Sequence, residues 1–202
     1  WSSDVCSSDL MIQEAYDAGQ RIFGESHVQE LQQKHAILPD DIEWHFIGHL
    51  QTNKVKYIAP YISLIHAVDS PRLLNEINKQ ALRNGRQIRC LLQLHVAEEE
   101  TKFGFTPEEC MEYLRSGEFR NLQGVVISGI MCMATNTDDE QRIRRDFSTA
   151  NEFFQQCCRE FPELGESMQF RSWGMSDDYR IAIEEGSNIV RIGSLIFGQR
   201  TY

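Results

Sequence analysis

Apolar residues in this chain alternate between two patterns. Short, nearly continuous runs are separated by longer stretches in which apolar positions recur every third or fourth residue. Runs of the first kind read as strands over residues 21–25, 42–48, 63–68, 88–96, 122–134, 169–174 and 188–194. The run over 88–96 is almost wholly apolar, as expected of a strand buried on both faces. Stretches of the second kind read as helices over 11–18, 28–36, 53–59, 71–84, 107–116, 138–161 and 178–186. Gly19 and Gly85 supply stop signals, and Thr106 supplies an N-cap. Strand follows helix throughout, with no linker and no change of composition, which predicts one α/β domain. Seven strands are counted and the series opens with a helix, so an eight-stranded (β/α)8 barrel needs one more strand ahead of Met11. A doubly wound open sheet is the rival fold, but no glycine-rich dinucleotide loop follows any early strand.

Residues 1–10, WSSDVCSSDL, carry neither period and repeat Ser-Ser-Asp before an apolar residue. They read as a non-native scar, joined at Met11 to a domain running over 11–202; a native leader with Asp9 as helix cap is the alternative.

A net charge of −10 argues against a nucleic-acid or anionic-membrane partner, since both need a basic footprint. No stretch reaches the length of a membrane span. Six cysteines lack metal-ligand spacing in a chain of ordinary size, and read as reduced thiols of a cytoplasmic protein. His45 and His49 are four apart, but the run between them reads as strand, which disfavours a zinc pair.

The candidate chemistry lies near the C-terminus. Trp173-Gly174-Met175-Ser176 and Arg191-Ile192-Gly193-Ser194 end two strands one helix apart, each in small residues with a hydroxyl. Backbone N–H groups at such turns bind anions, and the loops after the last two strands of a (β/α) barrel often hold phosphate. On a strand, Ile189, Arg191 and Gly193 share a face, so one ligand can touch the guanidinium and the turn. The competing reading pairs Arg191 with a buried acid such as Asp178 or Glu43.

Four segments in order resemble the pyridoxal 5′-phosphate (PLP) homeostasis proteins, also called proline synthetase co-transcribed homologues. They are residues 23–30 (FGESHVQE), 43–54 (EWHFIGHLQTNK), 98–104 (EEETKFG), and GMS at 174–176 with VRIGS at 190–194 and IFG at 196–198. The resemblance implies the fold of the alanine racemase N-terminal domain, a (β/α)8 TIM-barrel-like α/β fold, here expected to lack its first strand. It implies a PLP-binding, non-catalytic role in vitamin B6 homeostasis, as a monomer that buffers the cofactor or delivers it to PLP-dependent apoenzymes. Position by position, Ser176 and Met175 with Ile192, Gly193 and Ser194 match the phosphate cradle and its flanks. Arg191 matches the arginine that faces the pyridine nitrogen, and His49 and Asn53 match positions near the ligand. Ser26-His27 replaces the usual Asn-Tyr, and Trp173 stands where a smaller apolar residue is common.

One expected element is missing. The family anchors the PLP aldehyde to a lysine that ends its first strand, ahead of the helix starting near Met11, and no such lysine stands there. Lys34 and Lys79 read as solvated helix residues, and Lys54 and Lys56 open a helix. Lys102, on the loop after the strand at 88–96, is the substitute candidate. The expectation is a truncated barrel that either folds poorly or closes its gap by oligomerising, and that binds PLP weakly through the phosphate site alone. The alternatives are a PLP-dependent racemase-type enzyme, or a barrel enzyme acting on another phosphorylated ligand.

Overall fold

The computed structural model describes residues 9–99 and 103–198. Helix α1 (Asp9–Asp17) starts two residues inside the decapeptide and leads to strand β1 (Ile22–Glu25). There follow α2 (Val28–Ile37), β2 (Glu43–Phe46), α3 (Val55–Ile58), β3 (Leu64–Val68), α4 (Pro71–Arg83) and β4 (Ile88–Leu94). The chain continues through α5 (Pro107–Ser116), β5 (Val125–Cys132), α6 (Glu140–Glu160), α7 (Pro162–Gly165), β6 (Phe170–Ser172), α8 (Tyr179–Glu184) and α9 (Ser194–Phe197).

Local chemistry accounts for several of these boundaries. The Ser70 side chain accepts from Leu73 N–H, and Pro71 occupies the first turn of α4, where its missing N–H costs nothing. Thr106 and Glu109 form a reciprocal capping box on α5, and Gly117 closes that helix in the left-handed conformation at φ +75°. Asp139 caps α6 by accepting from Gln141 and Arg142 N–H.

The six strands form one parallel sheet in the order β1-β2-β3-β4-β5-β6. Each strand joins the edge left by the one before it, without the reversal of a doubly wound sheet. The sheet curls: His66 on β3 reaches Ser172 on β6 at 2.9 Å, although two strands separate them along the ladder. The result is an open, barrel-like parallel sheet.

The predicted strand at 188–194 is not a regular one. Ser172 and Ile189 form an isolated parallel bridge. Asn188 and Ile189 N–H both donate to Arg171 O, Arg191 N–H donates to Gly174 O, and Asn188 Oδ1 accepts from Arg171 N–H. A side chain thus takes part of the ladder, and the segment stays extended without strand periodicity.

Two apolar layers result. Outside the sheet, Phe23, Trp44, Leu92, Ile130 and Trp173 pack with the core faces of the helices, including Leu31, Leu74 and Phe147. Inside the curl a smaller cluster of Leu64, Leu91 and Met131, with Met133, Phe170 and Ile189, fills one level of the interior. Gly129 makes the close β5–β6 approach: at φ +155°, a Cβ there would lie 1.9 Å from Phe170 O.

Candidate ligand site at the C-terminal end of the sheet

Within the curl, His66 follows Leu64 on β3 and Ser172 follows Phe170 on β6, so these two strands turn from apolar to polar toward their C-terminal ends. Arg191 is buried, 3% exposed, and its guanidinium crosses to β5 and β6. Nη1 donates to Ser172 O and to Ser172 Oγ, both at 2.7 Å, and Nη2 donates to Cys132 O at 2.9 Å. No carboxylate among the described residues lies within 4 Å of it. The pairing with Asp178 or Glu43 weighed from the sequence does not form. Burial pulls the guanidinium below its ordinary pKa, opposed by Cys132 and Asp178, but an arginine remains protonated. The interior therefore holds a cation without a direct counter-ion, an arrangement suited to an electron-rich ligand.

The two small-residue turns meet beside it. Gly193 N–H donates to Ser176 Oγ at 3.3 Å, joining the loop after β6 to the start of α9. Ser176 is buried and Ser194 half-buried. Among the described residues, Ser176 and Ser194 N–H donate to no protein acceptor. Asp178 shapes the turn by accepting from Met175 N–H at 2.6 Å. Burial raises the Asp178 carboxyl above its ordinary range, with Met175 N–H and Arg191 acting against that rise. Met175 and Ile192, the flanks of the predicted cradle, are both half-buried.

A second polar feature adjoins the first. His66 Nδ1 lies 2.9 Å from Ser172 Oγ, and His66 Nε2 lies 3.0 Å from His45 Nδ1. Burial, then Arg89, holds His45 down at about 4, and burial with His45 and Arg191 holds His66 well below its ordinary value. Both rings are therefore neutral at neutral pH. His45, His66 and Arg191 line a cavity of about 240 Å³, with Gly24, Ile47 and Ile189 among its apolar walls.

The sequence profile of the alanine racemase N-terminal domain matches residues 7–201. The pyridoxal phosphate homeostasis protein of Aquifex aeolicus is 40% identical over 95% of this chain and 82% of its own length. The chain belongs to the pyridoxal phosphate homeostasis protein family. PipY of Synechococcus elongatus PCC7942, solved without PLP, matches at a TM-score of 0.88 with 34% identity, covering 94% of this chain and 87% of PipY. PipY with PLP bound matches at 0.86 with 32% identity, covering 96% and 90%.

Not every residue that the family resemblance selected joins the Arg191 site. His49 and Asn53 line a separate surface cleft of about 390 Å³, with Gln51, Asp69 and Arg72. There His49 Nδ1 pairs with Asp69 at 3.1 Å, and its ring stacks on Phe103 at 4.0 Å. Asn53 sits in the short 3-10 turn Thr52–Lys54 ahead of α3. Ser26 and His27 interact with each other, Oγ to Nδ1 at 3.2 Å, at the start of α2. Trp173 is fully buried in the sheet–helix layer, on the opposite face from Ser172.

The lysines require one correction. Lys34 is not solvated: it is 5% exposed, its ammonium bonds Glu25, and Glu30 lies at 3.6 Å. Glu25 also accepts from Ser26 N–H at 2.8 Å, so the pair ties the end of β1 to α2 on the helix side of the sheet. Glu25, His27 and Glu30 also form a potential cation-ligand cluster, but the Lys34 charge already sits on two of its members. Lys54 and Lys56 flank the exposed Tyr57 ring, and Lys79 pairs with Glu76 at 3.7 Å. Lys102, the substitute anchor expected from the sequence, lies outside the described residues. No disulfide joins the five described cysteines, four of which are buried; Cys6 lies outside the described residues. No described helix is long and apolar enough to cross a membrane.

His45, His66 and Ser172 were not among the site residues expected from the sequence. A signal for two of them existed: His66 interrupts the apolar run at 64–68, and Ser172 stands two residues before the Gly174 turn.

Proposed function

We propose that this chain binds PLP and holds it without turning it over, as a cytoplasmic buffer or carrier that supplies PLP-dependent apoenzymes. The observation that carries this reading is the buried Arg191 guanidinium, free of any described carboxylate, two residues before the Gly193–Ser194 turn that meets Ser176. These groups fit two parts of the cofactor. The Ser176 and Ser194 hydroxyls and N–H groups suit its phosphate, and Arg191 suits its ring nitrogen. The described lysines do not fit the third part, the aldehyde: Lys34 serves Glu25, and Lys54, Lys56 and Lys79 lie at the surface beside Tyr57 or Glu76.

When bound, PLP supplies an aldehyde and an electron-withdrawing ring. Arg191 donates a hydrogen bond to the ring nitrogen without giving up its proton, which disfavours the protonated ring and weakens the electron sink. That choice suits storage over carbanion chemistry. Residues 11–202 supply the binding unit, with His49 and Asn53 at a neighbouring cleft rather than on Arg191.

Calorimetric titration with PLP, in competition with inorganic phosphate, tests the reading. Saturable binding that phosphate displaces, and that Ser176→Ala weakens about tenfold, is the expected result. Binding indifferent to both phosphate and Ser176→Ala would exclude the proposed cradle.

A further inference from the structure

We propose that His66 and Ser172 are positioning residues for the bound ligand: they lock the Arg191 guanidinium so that one of its remaining N–H groups meets the ring nitrogen of PLP. The inference rests on the PLP reading above and extends it to residues that act through Arg191.

Hydrogen-bond direction carries the argument. Arginine can only donate, so Ser172 Oγ accepts from Nη1 at 2.7 Å. The Ser172 hydroxyl then has one proton to place, and His66 Nδ1 lies 2.9 Å away. If Nδ1 carried a proton, the Ser172 hydroxyl would have no acceptor among the described residues, at the cost of an unmade buried hydrogen bond. Ser172 therefore donates to Nδ1, and His66 carries its proton on Nε2. That N–H donates to His45 Nδ1 at 3.0 Å, which leaves the His45 proton on Nε2, facing the cavity. One polarity runs along the whole chain from Arg191 through Ser172 and His66 to His45.

The guanidinium is thereby fixed at three points: the Ser172 carbonyl, the Ser172 hydroxyl and the Cys132 carbonyl. Both Nη1 protons and one Nη2 proton are used. Nε–H and the second Nη2–H have no protein acceptor among the described residues, and these are the donors left for a ligand. Without His66 the Ser172 hydroxyl is free to rotate, and the plane of Arg191 loses one of its three fixed points.

The test compares PLP with its carbocyclic analogue, in which a C–H replaces the ring nitrogen. Wild-type protein is expected to prefer PLP by about tenfold, the worth of one charge-assisted hydrogen bond. His66→Leu and Ser172→Ala should each reduce that preference to about threefold or less, with the affinity for inorganic phosphate unchanged. His66→Asn keeps an acceptor near the Nδ1 position and should retain the preference, a rescue that a bulk packing role does not explain. Ser172→Ala keeps the test open if the Leu variant fails to fold. Nitrogen-15 spectra of the ligand-free protein should show both histidines protonated on Nε2 only. Full preference in both Leu and Ala variants, or an Nδ1-protonated His66, would overturn the proposal while leaving PLP binding intact. A wild-type protein that binds neither compound would overturn the ligand assignment, and this inference with it.

Discussion

Acid should destabilise this fold through its buried histidines, and His45 allows the effect to be sized. Its imidazole is held at about 4 in the folded state, by burial first and Arg89 second, against an ordinary value of 6.5. The folded state thus resists a proton that the unfolded chain accepts. The resulting stability is present above about pH 6.5 and is lost as pH falls toward about 4. A gap of that width corresponds to about 3 kcal/mol over the interval, a sizeable part of the margin of an ordinary domain. The geometry supplies a reason beyond burial, because protonating His45 on Nδ1 sets two N–H groups against each other across the 3.0 Å contact with His66. His45→Asn keeps an acceptor for His66 Nε2–H and cannot titrate. Urea unfolding of both proteins from pH 7 to 4 isolates the effect, since the carboxylates contribute equally to each. Wild-type protein should lose about 3 kcal/mol more than the variant. Equal slopes would refute the neutral, directionally bonded pair.

Three substitutions probe other parts of the account. Arg191→Met should weaken PLP binding about tenfold, leave the affinity for inorganic phosphate unchanged, and cost about 1–3 kcal/mol of stability by taking a donor from the buried Ser172 and Cys132 carbonyls; calorimetry and urea unfolding report the two effects separately. Lys34→Met should cost about 3–5 kcal/mol by leaving Glu25 buried and unpaired. Adding Glu25→Gln to Lys34→Met should recover much of that loss, and the double-mutant cycle measures the coupling. Gly129→Ala should prevent correct β5–β6 pairing, since its Cβ meets Phe170 O, and should appear as loss of the cooperative unfolding transition.

The alternation of elements was legible in the residues because it rests on local signals. The apolar run at 88–96 contains β4, and Thr106-Pro107 with Glu109 spells out the capping box of α5. The turns at Ser176 and at Gly193–Ser194 were legible too, since small residues at strand ends mark turns, and the structure brings the two together. What escaped depends on contacts distant in sequence. The extended segment after α8 fails as a strand because Asn188 diverts part of the ladder into its side chain. Lys34 looked solvated because lysine on a helix usually is, yet it stands three residues after Leu31 on the buried face of α2. Its partner, Glu25, becomes visible only once β1 and α2 pack together. The His45–His66–Ser172 chain joins β2, β3 and β6, and only the curl of the sheet brings its ends together.

Titration with PLP followed by visible absorbance, then borohydride reduction and peptide mass spectrometry, tests most directly whether Arg191 and the Ser176–Gly193–Ser194 turn hold the cofactor. The account predicts saturable, phosphate-displaceable uptake that Arg191→Met weakens about tenfold, with no reduced adduct on Lys34, Lys54, Lys56 or Lys79. Uptake that Arg191→Met leaves unchanged and that ignores phosphate, with adducts spread over those lysines, would contradict it.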